Sequence, residues 1–161
     1  MELQPRIVTS TEKKLTGKKV RMSLQTNQTQ ELWRSFMPEK TKIKNRLSSE
    51  LYSIRVYDRP MDPSDLARPF DKWAAAEVKS LDEVPEGMEP LILEGGLYAV
   101  FDYRGLNTDS SIFIYIFSQW LPNSGYELDE RPQFEVLGAK YKNNDPDSEE
   151  EIWIPIKPKM K

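Results

Sequence analysis

The chain contains no cysteine and no histidine. Without cysteine there are no disulfides, no thiolate nucleophile and no cysteine-built metal site. Without histidine, Ser-His and Cys-His machinery, imidazole general bases and histidine-built zinc or iron sites are excluded as well. Any chemistry has to come from Glu, Asp, Tyr, Lys or Ser. Long hydrophobic runs are also missing, and none approaches the roughly 20 residues needed to span a bilayer. The opening segment MELQPRIVTSTEKK lacks the apolar stretch of a secretory signal, so a cytoplasmic location is expected. Positive charge is not in excess. A net charge of -3 and a pI of about 5.2 argue against direct nucleic-acid binding, which relies on phosphate neutralisation by a basic surface. The basic cluster from Lys40 to Arg46 follows a helical pattern and reads as a solvated turn complementing the helix end. The acidic stretch Asn143 to Asp147 lacks the glycine and bidentate glutamate of a calcium loop and reads as another turn. No metal or cofactor is expected.

What remains is a globular composition: 161 residues, 38% hydrophobic, 11% aromatic and 30% charged, enough for one domain with a real core. Polar-apolar alternation around Lys18 to Leu24 predicts a strand. Leu32, Trp33 and Phe36 then share one face of a helix from Thr29 to about Met37, ended by Pro38. Strand patterns follow at Leu51 to Tyr57 and Phe70 to Val78. After Gly95-Gly96 comes a strand from Leu97 to Tyr103. Asp109-Ser110-Ser111 can cap a helix reaching Trp120-Leu121, although Ile112 to Phe117 would pass for a strand on propensity alone; the element order shared with the first half selects the helix. Both halves run strand, polar cap, aromatic helix, hydrophobic-hydrophobic-Pro triplet (Phe36-Met37-Pro38 and Trp120-Leu121-Pro122), then further strands. That order predicts an α+β fold of duplicated β-α-β-β units, about residues 1–84 and 91–161, within a single domain. Val84 to Pro90 is the expected connector. The two sheets are expected to join edge to edge, with both helices on one face.

Strand parity brings specific residues together. In the closing run, Ile152, Ile154 and Ile156 point one way, and Glu151 and Trp153 the other. Trp73, Ala75 and Glu77 likewise oppose Ala74, Ala76 and Val78. A carboxylate beside aromatic rings suits an apolar cation, because the rings offer contact area and a negative π face while the acid supplies the countercharge. Glu151 could equally be an edge-strand acid in water, within the run Glu149 to Glu151, and core packing is the usual role of tryptophan, above all for Trp120 near a helix end. Parity leaves the direction of Tyr98 open.

Gly96 to Phe101, Trp120-Leu121-Pro122-x-Ser124-Gly125-Tyr126, Arg131-Pro132-x-Phe134-Glu135 and Glu151 to Ile156 together resemble the GyrI-like small-molecule-binding domain. This is the effector-binding module of multidrug-responsive transcription activators. Leu32-Trp33-x-x-Phe36-Met37-Pro38 and Tyr52-Ser53-Ile54-x-Val56-Tyr57 resemble its stand-alone, integron-associated members. The resemblance implies a curved antiparallel sheet with a central cleft for lipophilic, often cationic, molecules and a buried acid in that cleft. It matches Glu151, Trp153 and Glu135 to the family's site. With the parity argument, the candidate ligand-binding set is Glu151, Trp153, Glu135, Trp73, Glu77, Tyr98, Trp33 and Trp120. A non-catalytic binder of lipophilic or cationic small molecules is the expected function. The alternatives implied by relatives are a hydrolase of cyclopropane-bearing toxins, with Glu151 and Tyr98 as its acid-base pair, and a partner for gyrase or the transcription machinery. No DNA-binding domain accompanies the module, which counts against a direct transcription-factor role.

Overall fold

The computed structural model describes residues 3–107 and 109–160. Among these residues, nine strands form one antiparallel sheet: β1 (Arg6–Ser10), β2 (Lys13–Met22), β3 (Leu51–Val56), β4 (Phe70–Glu77), β5 (Glu89–Leu93), β6 (Gly96–Arg104), β7 (Tyr126–Leu128), β8 (Gln133–Leu137) and β9 (Glu149–Pro158). Helix α1 spans Thr29–Phe36. The second helical segment starts as α2 (Ser111–Tyr115), passes through a π-helical turn (Ile116–Trp120) and ends as α3 (Leu121–Asn123). Asp109 Oδ1 accepts the Ser111 N–H at 2.9 Å, which satisfies one of the free donors at the start of that helix. No helix among the described residues is long and apolar enough to cross a membrane.

The strand order is β1-β6-β9-β8-β3-β4-β2-β5, with β7 paired to β9. Reading outward from the β3/β8 seam gives β3-β4-β2-β5 on one side and β8-β9-β6-β1 on the other, so the two β-α-β-β units are mirrored in sequence order. The stretch expected to be a connector overlaps β5, whose Pro90 lies opposite Thr16 of β2. Proline belongs on such an edge strand, where its missing N–H breaks no ladder.

Two short connections force the sheet to curl. Residues 11–12 join β1 to β2, and residues 94–95 join β5 to β6, although each pair stands six strand positions apart. In a flat sheet those strands would lie about 29 Å apart, whereas a two-residue link reaches only about 11 Å. The sheet therefore rolls its edges toward each other.

Both helices pack on the outer face. Leu32 and Phe36 of α1 cluster with Ala74, Ala76 and Val78, and Ile112 and Ile116 cluster with Ala99, Phe101, Ile152, Ile154 and Ile156. The inner face has no helix. Its side chains nonetheless form a third cluster, in which Leu15, Ile54, Tyr98 and Val100 are at most 1% exposed. Only the curl of the sheet can bury them, so this face is concave.

Candidate functional site

The inner face is a trough lined by five aromatic side chains, each placed by strand register. The β8/β9 pairing sets Phe134 opposite Trp153, and their rings stack at 5.2 Å with 17° between planes. Tyr98 meets both edge-on, at 5.4 Å and 5.5 Å. Across the seam Tyr52 tilts against Phe134 at 5.7 Å, while Trp73 pairs with Ile54 on the far wall. Offset and edge-on contacts of this kind contribute about 0.5–1.5 kcal/mol each beyond their buried area.

Glu77 and Glu151 are the trough carboxylates that hydrogen-bond its aromatic side chains. Glu77 Oε1 accepts the Tyr52 hydroxyl at 3.3 Å and lies 3.9 Å from Lys13 Nζ. Glu151 Oε1 accepts the Trp153 indole N–H at 3.1 Å, and Oε2 accepts from Arg6 at 3.0 Å. Arg6 also donates to Asp102 at 3.3 Å. Burial, reinforced by Glu77, holds the Tyr52 phenol protonated above its ordinary range. Burial raises Tyr98 too, against the opposing pull of Arg131. Both phenols therefore act as donors, and Tyr98 gives its proton to the Glu94 carbonyl at 3.3 Å.

Among the described residues three cations lie over trough rings: Lys13 over Trp153 at 6.0 Å, Lys19 over Trp73 at 5.5 Å and Arg131 over Tyr98 at 4.5 Å. Arg131 is held firmly. Its Nε donates to Asp129 at 2.8 Å and one terminal nitrogen donates to the carbonyls of Leu97 and Ile156. Gly96 makes room for it: the backbone there has φ +147°, and a Cβ would stand 2.6 Å from the guanidinium.

Of the eight candidates, Glu151, Trp153, Trp73, Glu77 and Tyr98 lie on the inner face. The other three lie elsewhere. Glu135 pairs with Ile152 and so faces the helix side, because its neighbour Phe134 takes the inward position. Trp33 packs edge-on to Phe36 at 5.7 Å in the α1 layer, and Trp120 edge-on to Phe101 at 5.2 Å under the second helix. The sequence reading missed Tyr52 and Phe134, although parity with Ile54 and with Val136 would have placed each. It also missed Lys13, Arg6 and Arg131, whose roles depend on contacts between strands distant in sequence.

Glu135 belongs instead to a polar cluster on the outer side of the seam, with Ser53, Arg55, Lys72, Gln133 and Glu150. A cavity of about 10 Å³, room for about one water molecule, is lined here by Ser53, Arg55, Phe113, Gln133 and Glu135, among others. Lys72 is 5% exposed, and burial lowers its ammonium to about 8. Burial and then Glu135 push the Glu150 carboxyl well above the carboxylate range, with Lys72 opposing. Among the described residues Gln133 Oε1 and Glu150 Oε2 find no hydrogen-bond partner. Among the described residues no group of three acidic side chains is arranged to hold a metal ion.

The chain is thus a curled antiparallel α+β protein with a duplicated β-α-β-β plan and an aromatic inner face. Over residues 6–156 the sequence matches the profile of the integron-associated effector binding proteins, Cass2, and the chain belongs to that family. Solved structures repeat the fold. The C-terminal domain of EcmrR superposes with a TM-score of 0.71 at 12% identity, covering 99% of this chain and 100% of that one. SAV2435 bound to tetraphenylphosphonium gives 0.68 at 14%, covering 98% and 94%. The integron cassette protein VCH_CASS2 from the mobile metagenome of Vibrio cholerae gives 0.64 at 20%, covering 96% and 97%. No curated protein matches the sequence.

Proposed function

We propose that this protein binds lipophilic organic cations in the trough, as a drug- or effector-binding module without catalysis. The carrying observation is the conjunction on one concave face of five aromatic rings with two carboxylates, Glu77 and Glu151. Aromatic faces attract a diffuse cation at little desolvation cost, and the acids neutralise it. Membership of an effector-binding family supports the reading, as does the tetraphenylphosphonium held by SAV2435, a protein of the same fold.

The rings fill the trough by stacking on one another, so a ligand has to enter by parting Phe134, Trp153 and Tyr98. The resting contacts favour binding over the hydrolase alternative: Glu151 accepts from Arg6 and Trp153, and Tyr98 donates to the Glu94 carbonyl, so neither contacts the other. Titration with tetraphenylphosphonium followed by tryptophan fluorescence tests the proposal. Saturable quenching in the micromolar range is expected. A flat fluorescence and calorimetric response across a panel of aromatic and quaternary cations would remove it.

A further inference from the structure

Lys13 is the first residue of β2, immediately after the two-residue link that crosses from β1. It pairs with Leu93, a trough residue, and so points inward. Its ammonium spans the two halves, 3.9 Å from the Glu77 carboxylate of β4 and 6.0 Å from the Trp153 ring of β9. A cation between an acid and an indole face is the arrangement argued above for an external ligand. We propose that Lys13 is a tethered occupant of the cation site, which an incoming organic cation must displace, and that it thereby sets both affinity and selectivity. This inference rests on the proposed function and names the residue that tunes it.

Several observations separate Lys13 from the other internal cations. Arg131 is fixed by three hydrogen bonds and is 10% exposed, so it is part of the wall. Arg6 and Glu151 form a more open pair, at 54% and 36% exposure. Lys19 is shared between Asp71 and Glu89, outside the Tyr52–Phe134–Trp153 group. Lys13 and Glu77 are 20% and 23% exposed, and the Glu77 oxygen they share also takes the Tyr52 hydroxyl. Both Lys13 contacts lie near the outer limit of their kinds, about 4 Å for an ion pair and about 6 Å for a cation over a ring. The ammonium is therefore close enough to compete and loose enough to leave. Its four-carbon stem lets it swing to water without moving the strand.

A tethered group competes at an effective concentration on the order of millimolar, which weakens every free monovalent cation by a common factor. Removing the charge while keeping the stem should lift that competition. Tetraphenylphosphonium and tetraphenylborate, equal in shape and opposite in charge, provide the test. Lys13→Met, and Lys13→Gln as a second variant, are compared with the unmodified protein by calorimetry after thermal melts establish that each is folded. The expected result is phosphonium binding about tenfold tighter in both variants, with borate binding unchanged or weaker. A variant that binds phosphonium no more tightly than the parent overturns the inference and leaves the proposed function standing. A parent that prefers borate, and loses that preference in Lys13→Met, overturns it too, because Lys13 would then be the ligand's counterion. Phosphonium binding to neither parent nor variants would fail the proposed function and the inference together.

Discussion

The two faces of the sheet each carry buried clusters but are differently made. Beneath the helices the sheet surface is largely aliphatic, with Phe101 and Tyr103 among its aromatic members: Ala74 and Ala76 let α1 approach, and Ile152, Ile154 and Ile156 meet Ile112 and Ile116. The inner face is aromatic, and its charges come as ion pairs at the rim. Aliphatic interdigitation fixes a single arrangement, because methyl groups leave gaps when shifted. Flat rings with polar tips can slide and part while keeping hydrophobic contact. One face holds the fold, and the other is built to be rearranged.

The largest expected effect on this contrast comes from paired truncations. Phe36→Ala, at a residue 0% exposed in the outer layer, should cost about 3–5 kcal/mol of stability. It should leave the ratio of phosphonium to borate affinity unchanged. Trp153→Ala removes a partly exposed ring, so it should cost less stability and lower phosphonium affinity by on the order of tenfold. Urea unfolding with parallel calorimetry checks both. Equal stability losses with no affinity change would erase the distinction between the faces.

Glu151→Gln sharpens the electrostatic part. The glutamate is 36% exposed and already paired with Arg6, so its loss should reduce phosphonium binding by only about 1 kcal/mol. Borate binding should fall less or improve. A matching loss for both ions would mean that Glu151 shapes the trough without acting as a countercharge.

The smallest effect belongs to the seam cluster on the outer side. Glu150 keeps its proton in the folded chain at pH values where the unfolded chain has released it. The folded state then binds more protons, so stability falls as the pH rises from about 4.5 through neutrality. Lys72 acts oppositely: its ammonium titrates at about 8 when folded and 10.5 when unfolded, so its burial cost is present below about 8 and relieved as the pH rises from there. Glu150→Gln should therefore stabilise the protein on the order of 1 kcal/mol at pH 8 and flatten the decline from pH 5 to 8. Denaturant midpoints at pH 5, 6.5 and 8 read this directly; a variant less stable than the parent at pH 8 would show that the carboxylate is charged and paired.

Much of this architecture was legible in the sequence. The helix at Thr29 and the strands at Leu51, Phe70 and Leu97 follow from apolar period, whereas the helix at Ser111 follows from the element order shared by the two halves, since Ile112 to Phe117 has strand propensity. Edge strands were not legible, because their identity lies in pairing: β1 is five residues of mixed polarity, and Pro90 disguised β5 as a linker. The trough was half legible. Parity along β4 and β9 groups Trp73 with Glu77 and Glu151 with Trp153 from spacing alone. The same rule, applied to Phe134 and Glu135, shows that adjacent residues cannot share a face, and it would have sent Glu135 outward. The placements of Lys13 and Arg131 were beyond local reading, since they depend on a curl produced by two short links between strands at opposite ends of the sheet.

The four tryptophans divide evenly between the faces, with Trp73 and Trp153 in the trough and Trp33 and Trp120 beneath the helices. Titrating tetraphenylphosphonium while recording the four indole N–H resonances tests the central claim directly. Binding in the trough should give large, saturable shifts for Trp73 and Trp153 and little change for Trp33 and Trp120. Shifts confined to Trp33 and Trp120, or no shift in any of the four, would contradict it.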